Sequence, residues 1–389
     1  MMRRLLIGFG LLLAVAMAAF FLFAPKLAEE SMNRIVPTDQ KISPAAIALH
    51  KTLFIADLHG DTLMWQRTLL APADRGHIDL PRLEAGHVGL QVFSSVTKTP
   101  SGQNYDANAA DTDNITALAI GQLQPVRTWG SLLERSLWHA EKLRRAEAGS
   151  NGRLRIVRTR ADLDHLLAAR AKGGVVPIGA LLSIEGLHNL EGQRANLDVL
   201  WNAGFRMAGF THFFDNEVAG SMHGEQKGGL TPLGRQILAD MEARGMIVDI
   251  AHASHAAVAE ILTLAKRPVI SSHGGVQATC KVNRNLTDDE IRGVARTGGV
   301  IGIGYWDAAI CSTNPRAIAK AMAHVRNLVG ADHVALGSDF DGATTTPFDT
   351  AGVVHVTQAL LDEGFSKAEI EKVMGGNVVR VLKAVLPPR

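Results

Sequence analysis

The 389-residue chain has little cysteine, few aromatics and almost no net charge, and each shortage removes a class of function. Its two cysteines, Cys280 and Cys311, are too few for a cysteine-built structural zinc finger, so any metal site must come from His, Asp and Glu. If the chain is exported, the two are free to pair in an oxidising compartment. Aromatic residues make up 5%, which argues against a base-stacking surface. Forty basic against 38 acidic side chains leave a formal charge of +2, so neither nucleic acid nor a strongly acidic partner is expected. There is no Walker-type phosphate loop. Gly302-Ile303-Gly304 lacks the third glycine of a dinucleotide loop and points instead to tight packing of a strand.

What is present begins with an apolar run. Arg3 and Arg4 precede Leu5–Ala24, and Lys26 follows. At about 1.5 Å per residue this run matches a bilayer core of roughly 30 Å. Basic residues on the short leading end keep that end cytoplasmic, so the remainder is exported to the periplasmic or extracellular side. A signal peptide cut near Ala16-Met17-Ala18 is the competing reading. The run continues through Phe20, Phe21 and Phe23, which favours an uncleaved anchor. Residues 1–33 are therefore assigned to the anchor and a linker, and 34–389 to a single domain.

Eight short apolar runs follow: Leu53–Asp57, Gly89–Val96, Pro177–Ile184, Phe205–Thr211, Met246–Ala251, Pro268–Ser272, Val300–Tyr305 and His333–Gly337. They are continuously apolar, as strands buried on both faces are. Helical patterns alternate with them, including Leu233–Arg244, His255–Ala265, Asp288–Arg296 and Pro315–Leu328. The expected class is α/β: a (β/α)8 TIM-like barrel, with an open doubly wound sheet as the alternative. One elaborated crossover is expected between strands 2 and 3. It carries a polar loop, Lys98–Asp113, and a long helical stretch, Ile115–Ala148, with Glu134, Lys142, Arg144 and Arg145 on a solvated face.

The chemistry-bearing residues fall at the C-terminal ends of these runs. His59 and Asp61 follow the first, Glu185 the third, His212 the fourth, His252 the fifth, His273 the sixth and Asp339 the eighth. A barrel gathers such ends on one rim, where active sites sit. In His59-Gly60-Asp61, residues i and i+2 project to one side of an extended segment and can share an ion. Imidazoles with carboxylates make an N/O set that suits zinc, and a carboxylate such as Glu185 has two oxygens with which to bridge two ions. His77, His87, His188, His223, His255 and His355 are expected to be hydrogen-bonded structural residues. Asp57 and Asp249 are expected in turns that orient the ligands.

With these residues in view, the chain resembles the membrane (renal) dipeptidase family of the amidohydrolase superfamily from about Leu53 to Arg380. The matching segments are Asp57-Leu58-His59-Gly60-Asp61-Thr62, Ile78-Asp79-Leu80-Pro81-Arg82-Leu83, Ser183-Ile184-Glu185-Gly186, His252-Ala253-Ser254, Ser271-Ser272-His273, Asn283-Arg284-Asn285-Leu286, Gly337-Ser338-Asp339-Phe340-Asp341-Gly342 and Gly375-Gly376-Asn377. The resemblance implies two zinc ions per chain: His59 and Asp61 on one, His252 and His273 on the other, Glu185 and a hydroxide bridging both. It implies that His212 faces the developing oxyanion, that Arg284 grips the substrate carboxylate, and that Asp339 meets the free amine and moves the proton. It also implies a Cys280–Cys311 disulfide, a homodimer and dipeptide substrates, with acceptance of a C-terminal D-residue left open. Lys281-Val282-Asn283 departs from the family pattern in the substrate loop, which leaves side-chain preference open. The tail Leu386-Pro387-Pro388-Arg389 offers no hydrophobic segment for the C-terminal lipid anchor of animal relatives. A lactonase, deaminase or phosphotriesterase would share the barrel and both metals, and only Arg284 and Asp339 speak against those readings.

Overall fold

The computed structural model of the protein describes residues 2–172 and 176–389. Met1 and the side chain of Arg3, both in the leading segment, lie outside the described residues. Eight parallel strands form the centre: β1 (Ile55–Asp57), β2 (Val88–Phe93), β3 (Ile178–Glu185), β4 (Phe205–Gly209), β5 (Ile247–Asp249), β6 (Val269–Ile270), β7 (Ile301–Ile303) and β8 (Val334–Leu336). Neighbours follow chain order from β1 to β6, and β8 pairs with both β1 and β7. A parallel bridge from Ser271 to Ile301 joins β6 to β7, leaving a nearly closed barrel rather than an open sheet. One apolar cluster takes Ala56, Leu90, Leu181, Met207, Ile247, Ile270 and Ala335 from around the barrel. It also includes Val381 and Leu382 of the helix Asn377–Val385, which covers the N-terminal end of the barrel. There Arg267 donates to the Val385 carbonyl and Asn377 to that of Val334.

Six of the eight strands stop earlier than their apolar runs do, whereas β1 ends with its run at Asp57 and β3 goes one residue beyond, to Glu185. Carboxylates intercept the backbone N–H groups that would have extended the ladder. Asp57 Oδ1 accepts from the N–H groups of His59 and Ser338, and Asp249 Oδ1 from those of Ala251 and Ser272. The two aspartates, expected in turns that orient the ligands, instead stand as the last residues of β1 and β5, and among the described residues they bond backbone N–H groups rather than a ligand imidazole.

The helices lie close to their expected spans, at Pro232–Arg244, His255–Leu264, Asp288–Arg296 and Pro315–Val329. The crossover differs. Its helical stretch is broken into Asn114–Gly121, Arg127–Gly130 and Leu132–Gly149, followed by a short strand, Leu154–Ile156, and the helix Arg160–Lys172. Pro125 has no N–H to continue a helix, and Ser131 caps a new one by accepting from Glu134 N. Lys142 also leaves the solvated face. Its ammonium donates to the carbonyls of Leu63 and Trp65, bracing the turn after His59-Gly60-Asp61.

The leading helix runs from Met2 to Met32. Its apolar span from Arg4 is exposed and long enough to cross a membrane. Leu5–Ala24 accounts for roughly 30 Å of it, so the portion from Pro25 projects beyond and packs on the barrel. Glu29, 1% exposed, accepts from Arg67 Nε at 2.6 Å and Arg75 Nε at 2.8 Å. Asn33 Oδ1 accepts from Ala343 N, and Arg34–Ile35 pairs in parallel with Thr345–Thr346. The boundary expected at residue 33 therefore falls inside a packed contact.

Candidate active site

Six strand ends carry the seven ligand-type residues to the rim. His59 and Asp61 follow β1, Glu185 ends β3, and His212, His252, His273 and Asp339 follow β4, β5, β6 and β8. All are buried. His252 Nε2 lies 2.9 Å and His273 Nε2 3.2 Å from Glu185 Oε1. His59 Nε2 lies 3.5 Å from both Asp61 Oδ1 and Glu185 Oε2, and 3.9 Å from Asp339 Oδ1. His212 Nε2 is 3.6 Å from Glu185 Oε1. Glu185 thus turns one oxygen to the His252–His273 side and the other to the His59–Asp61 side. The seven residues expected at strand ends, His59, Asp61, Glu185, His212, His252, His273 and Asp339, lie in this one cluster.

The backbone is shaped to make this possible. Glu185 is followed by Gly186 at φ 92°, where a Cβ would lie 2.5 Å from the His188 ring and 3.1 Å from His212 N. Only glycine lets the chain turn there without displacing a neighbour. His252 and Asp339 themselves stand at φ 64° and 59°, a conformation rarely adopted by residues other than glycine.

Burial decides the electrostatics. It would lower the His59 imidazole, but Glu185 and Asp61 outweigh it and hold that group well above its ordinary value. Burial, then the positive charge of Arg284, keeps His252 well below its own. Burial likewise holds Asp339 well above the usual carboxylate range, opposed by His59 and reinforced by Asp61 and Glu185.

The residues fit metal ions. His59 Nε2, Asp61 Oδ1 and Glu185 Oε2 are all buried without a hydrogen-bond partner, although an unpaired buried polar atom costs roughly 1–3 kcal/mol. These same three residues bring their ligand atoms within 4.8 Å of one another, as do Glu185, His212 and His252, and His59, His273 and Asp339. Unpaired nitrogens and oxygens converging on one point are what a cation would satisfy.

Arg284, 3% exposed, stands at the His252 side. Its guanidinium reaches His252 Nε2 at 3.3 Å and the His273 carbonyl at 3.4 Å, and lies 5.0 Å over the Trp306 ring. Among the described residues no carboxylate comes within ion-pair distance of it. Sequence reasoning missed Trp306 and Tyr105, whose Oη accepts from Trp306 Nε1 at 3.3 Å. Both lie in loops with no spacing to mark them. The histidines expected to be structural are mostly so. His188 Nε2 meets Thr97 Oγ1, His223 Nδ1 the Tyr105 carbonyl, His255 Nδ1 Glu290 and His355 Nδ1 Gln40. His77 takes the N–H of Asp341, whereas His87 is exposed at φ 54° and makes no such bond among the described residues.

Cys280 and Cys311 form a disulfide with Cα atoms 5.3 Å apart. It ties the loop before Arg284 to the loop after Trp306, and Asn285 Nδ2 stitches the same pair by donating to the carbonyls of Cys280 and Ala309.

Comparison with known proteins agrees with this geometry. A dipeptidase, tcpJ, from Claviceps purpurea is 28% identical over 323 residues, 80% of this chain and 69% of that protein. A dipeptidase, aclJ, from Aspergillus oryzae is 37% identical over 215 residues, covering 53% of this chain and about half, 51%, of the relative's own length. Among solved structures, the probable dipeptidase PvdM from Pseudomonas aeruginosa superposes with a TM-score of 0.74 at 19% identity, covering 88% of this chain and 98% of that one. A metallopeptidase from Rhodobacter sphaeroides, liganded with a phosphinate mimic of L-Ala-D-Ala, gives 0.70 at 22% identity, covering 86% and 99%. These likenesses share the barrel fold. The family model described as membrane dipeptidase, peptidase family M19, matches residues 44–386. With its ligand-bearing rim and that match across most of its length, the chain belongs to the membrane dipeptidase family.

Proposed function

We propose that this protein is an exported zinc dipeptidase that hydrolyses the single peptide bond of small dipeptides. The observation that carries the reading is the pairing of buried ligand atoms without hydrogen-bond partners with a buried Arg284 that has no carboxylate partner among the described residues. His59 and Asp61 would hold one zinc ion, His252 and His273 a second, and Glu185 would touch both. Zinc bound there supplies Lewis acidity and brings water toward deprotonation near neutral pH.

The chain's own residues do the rest. Arg284 offers a planar fork for the substrate's terminal carboxylate, a bidentate grip that a lysine cannot reproduce. Asp339, on the His59 side, meets the free amine. It takes a proton from the attacking water and returns it to the amide nitrogen as the C–N bond breaks. His212, which lines the cavity with its Nε2 3.6 Å from Glu185 Oε1, stabilises negative charge as it forms on the carbonyl oxygen. No nucleophilic Ser or Cys is needed. Fixing both termini restricts substrates to dipeptides.

The leading helix anchors the chain, or remains in part after a cut near Ala16-Met17-Ala18. The disulfide suits an oxidising compartment on the exported side. A homodimer is proposed from the family resemblance.

A panel of free, N-blocked and C-amidated dipeptides, with a lactone and a phosphotriester, tests the reading. Only free dipeptides should be cut, and Arg284→Lys should raise KM for them at least tenfold with kcat less affected. Cleavage of the lactone or phosphotriester in preference to dipeptides, or an unchanged KM, contradicts it.

A further inference from the structure

The cleft holds more than a dipeptide backbone needs. Its cavity measures about 620 Å³, within the range of pockets that enclose drug-sized ligands. One wall does not come from the barrel. Phe20, Ala24, Pro25, Ala28 and Met32 of the leading helix line it, together with Met64 and Trp65 of the barrel side. Positions 24, 28 and 32 lie four apart, so they form one stripe on one helix face.

We propose that this stripe is the wall of the subsite for the side chain of the dipeptide's amino-terminal residue, and that it selects large aliphatic or aromatic side chains there. The inference rests on the dipeptidase reading above and assigns the specificity of that same cleft.

The placement follows from contacts. Asp339, assigned to the free amine, lies on the His59 side, while Arg284, assigned to the carboxylate, lies on the His252 side. The chain leaving Asp339 is the segment the leading helix docks on. Asn33 Oδ1 accepts from Ala343 N, Arg34 N donates to the Thr344 carbonyl, and Ala343, Thr344 and Thr345 line the same cavity as Ala28 and Met32. The wall therefore flanks the amine end. It is held firmly: Glu29 pairs with Arg67 and Arg75, Arg67 with Asp341, and Lys26 with Asp74 at 2.7 Å. Residues 24–32 also lie beyond Ala16-Met17-Ala18, so anchored and cleaved forms both keep the wall. Its alanines leave space, and its surface is apolar, so what fits is bulk without charge.

The test uses the full chain and reads a ratio, kcat/KM for Phe-Gly over kcat/KM for Gly-Phe. Ala28→Leu should lower the ratio several-fold and Ala28→Trp at least tenfold as the subsite fills. Met32→Ala, which removes bulk, should lower it by lost contact. A ratio that none of the three variants moves, in protein melting within a few degrees of wild type, overturns the proposal. Calorimetric binding of two phosphinate dipeptide mimics, one Phe-first and one Gly-first, separates the two readings. Wild-type protein that binds the Phe-first mimic at least tenfold more tightly but cuts no dipeptide would sink the enzymatic reading and keep the wall. A preference among mimics that is absent, or indifferent to Ala28, would sink the wall alone.

Discussion

At Gly342 no side chain fits. A Cβ there would lie 2.2 Å from Asp339 Oδ1 and 2.8 Å from Asp61 Oδ2, so even a methyl group would displace the carboxylates to which the proposed function assigns the proton and a zinc ion. Gly342→Ala is therefore expected to leave the barrel folded while lowering kcat at least a hundredfold, about 3 kcal/mol of transition-state stabilisation. Steady-state kinetics beside a thermal melt check this, and near-normal kcat would show that the placement of these two carboxylates is not required. The glycine belongs to a motif visible in the sequence, Gly337-Ser338-Asp339-Phe340-Asp341-Gly342, but its reason is not visible there. Asp61 reaches it only because β1 and β8 are neighbours around the barrel. His59, Glu185, His252 and His273 were legible for a simpler reason: each ends an apolar run, and a barrel sends all such ends to one rim.

Among the elements, the strands and most helices could be read from alternating apolar runs and helical patterns. Most strand ends could not, because side chains and not periodicity set them. Asp57 and Asp249 terminate strands by capturing backbone N–H groups from neighbouring strands. Pro125 and Ser131 divide what read as one helix. Lys142 was placed outside by its charge, yet it turns in to satisfy two carbonyls that no periodicity reveals. The disulfide is the element-scale device with a measurable consequence. It closes a 31-residue separation, for which loop-closure entropy gives about 3–4 kcal/mol. It also frames Arg284. Reduction, or Cys280→Ser with Cys311→Ser, is expected to lower Tm by several degrees and to raise KM for dipeptides more than it lowers kcat. An unchanged KM in the folded double variant would separate the bridge from the carboxylate grip.

For the whole molecule, the architecture was legible because eight strand-helix units have few ways to close. The relation of the leading helix to the domain was not. Composition marks that helix as long and apolar enough to cross a membrane, and its apolar run gives no sign that the next eight residues, Pro25–Met32, dock on the barrel. That contact depends on Glu29 meeting Arg67 and Arg75, charges that lie in a loop with no pattern of their own. The helix tip, the Asp339 loop and the cleft consequently form one packed unit. What this unit is built around is the claim on which the rest depends. Anomalous scattering at the zinc edge, from crystals of the exported chain grown with zinc, tests it most directly. Two peaks roughly 3.5–4 Å apart, one between His59 and Asp61 and one between His252 and His273, with Glu185 touching both, are the predicted result. A single ion bound elsewhere, or none at this rim, would contradict the account.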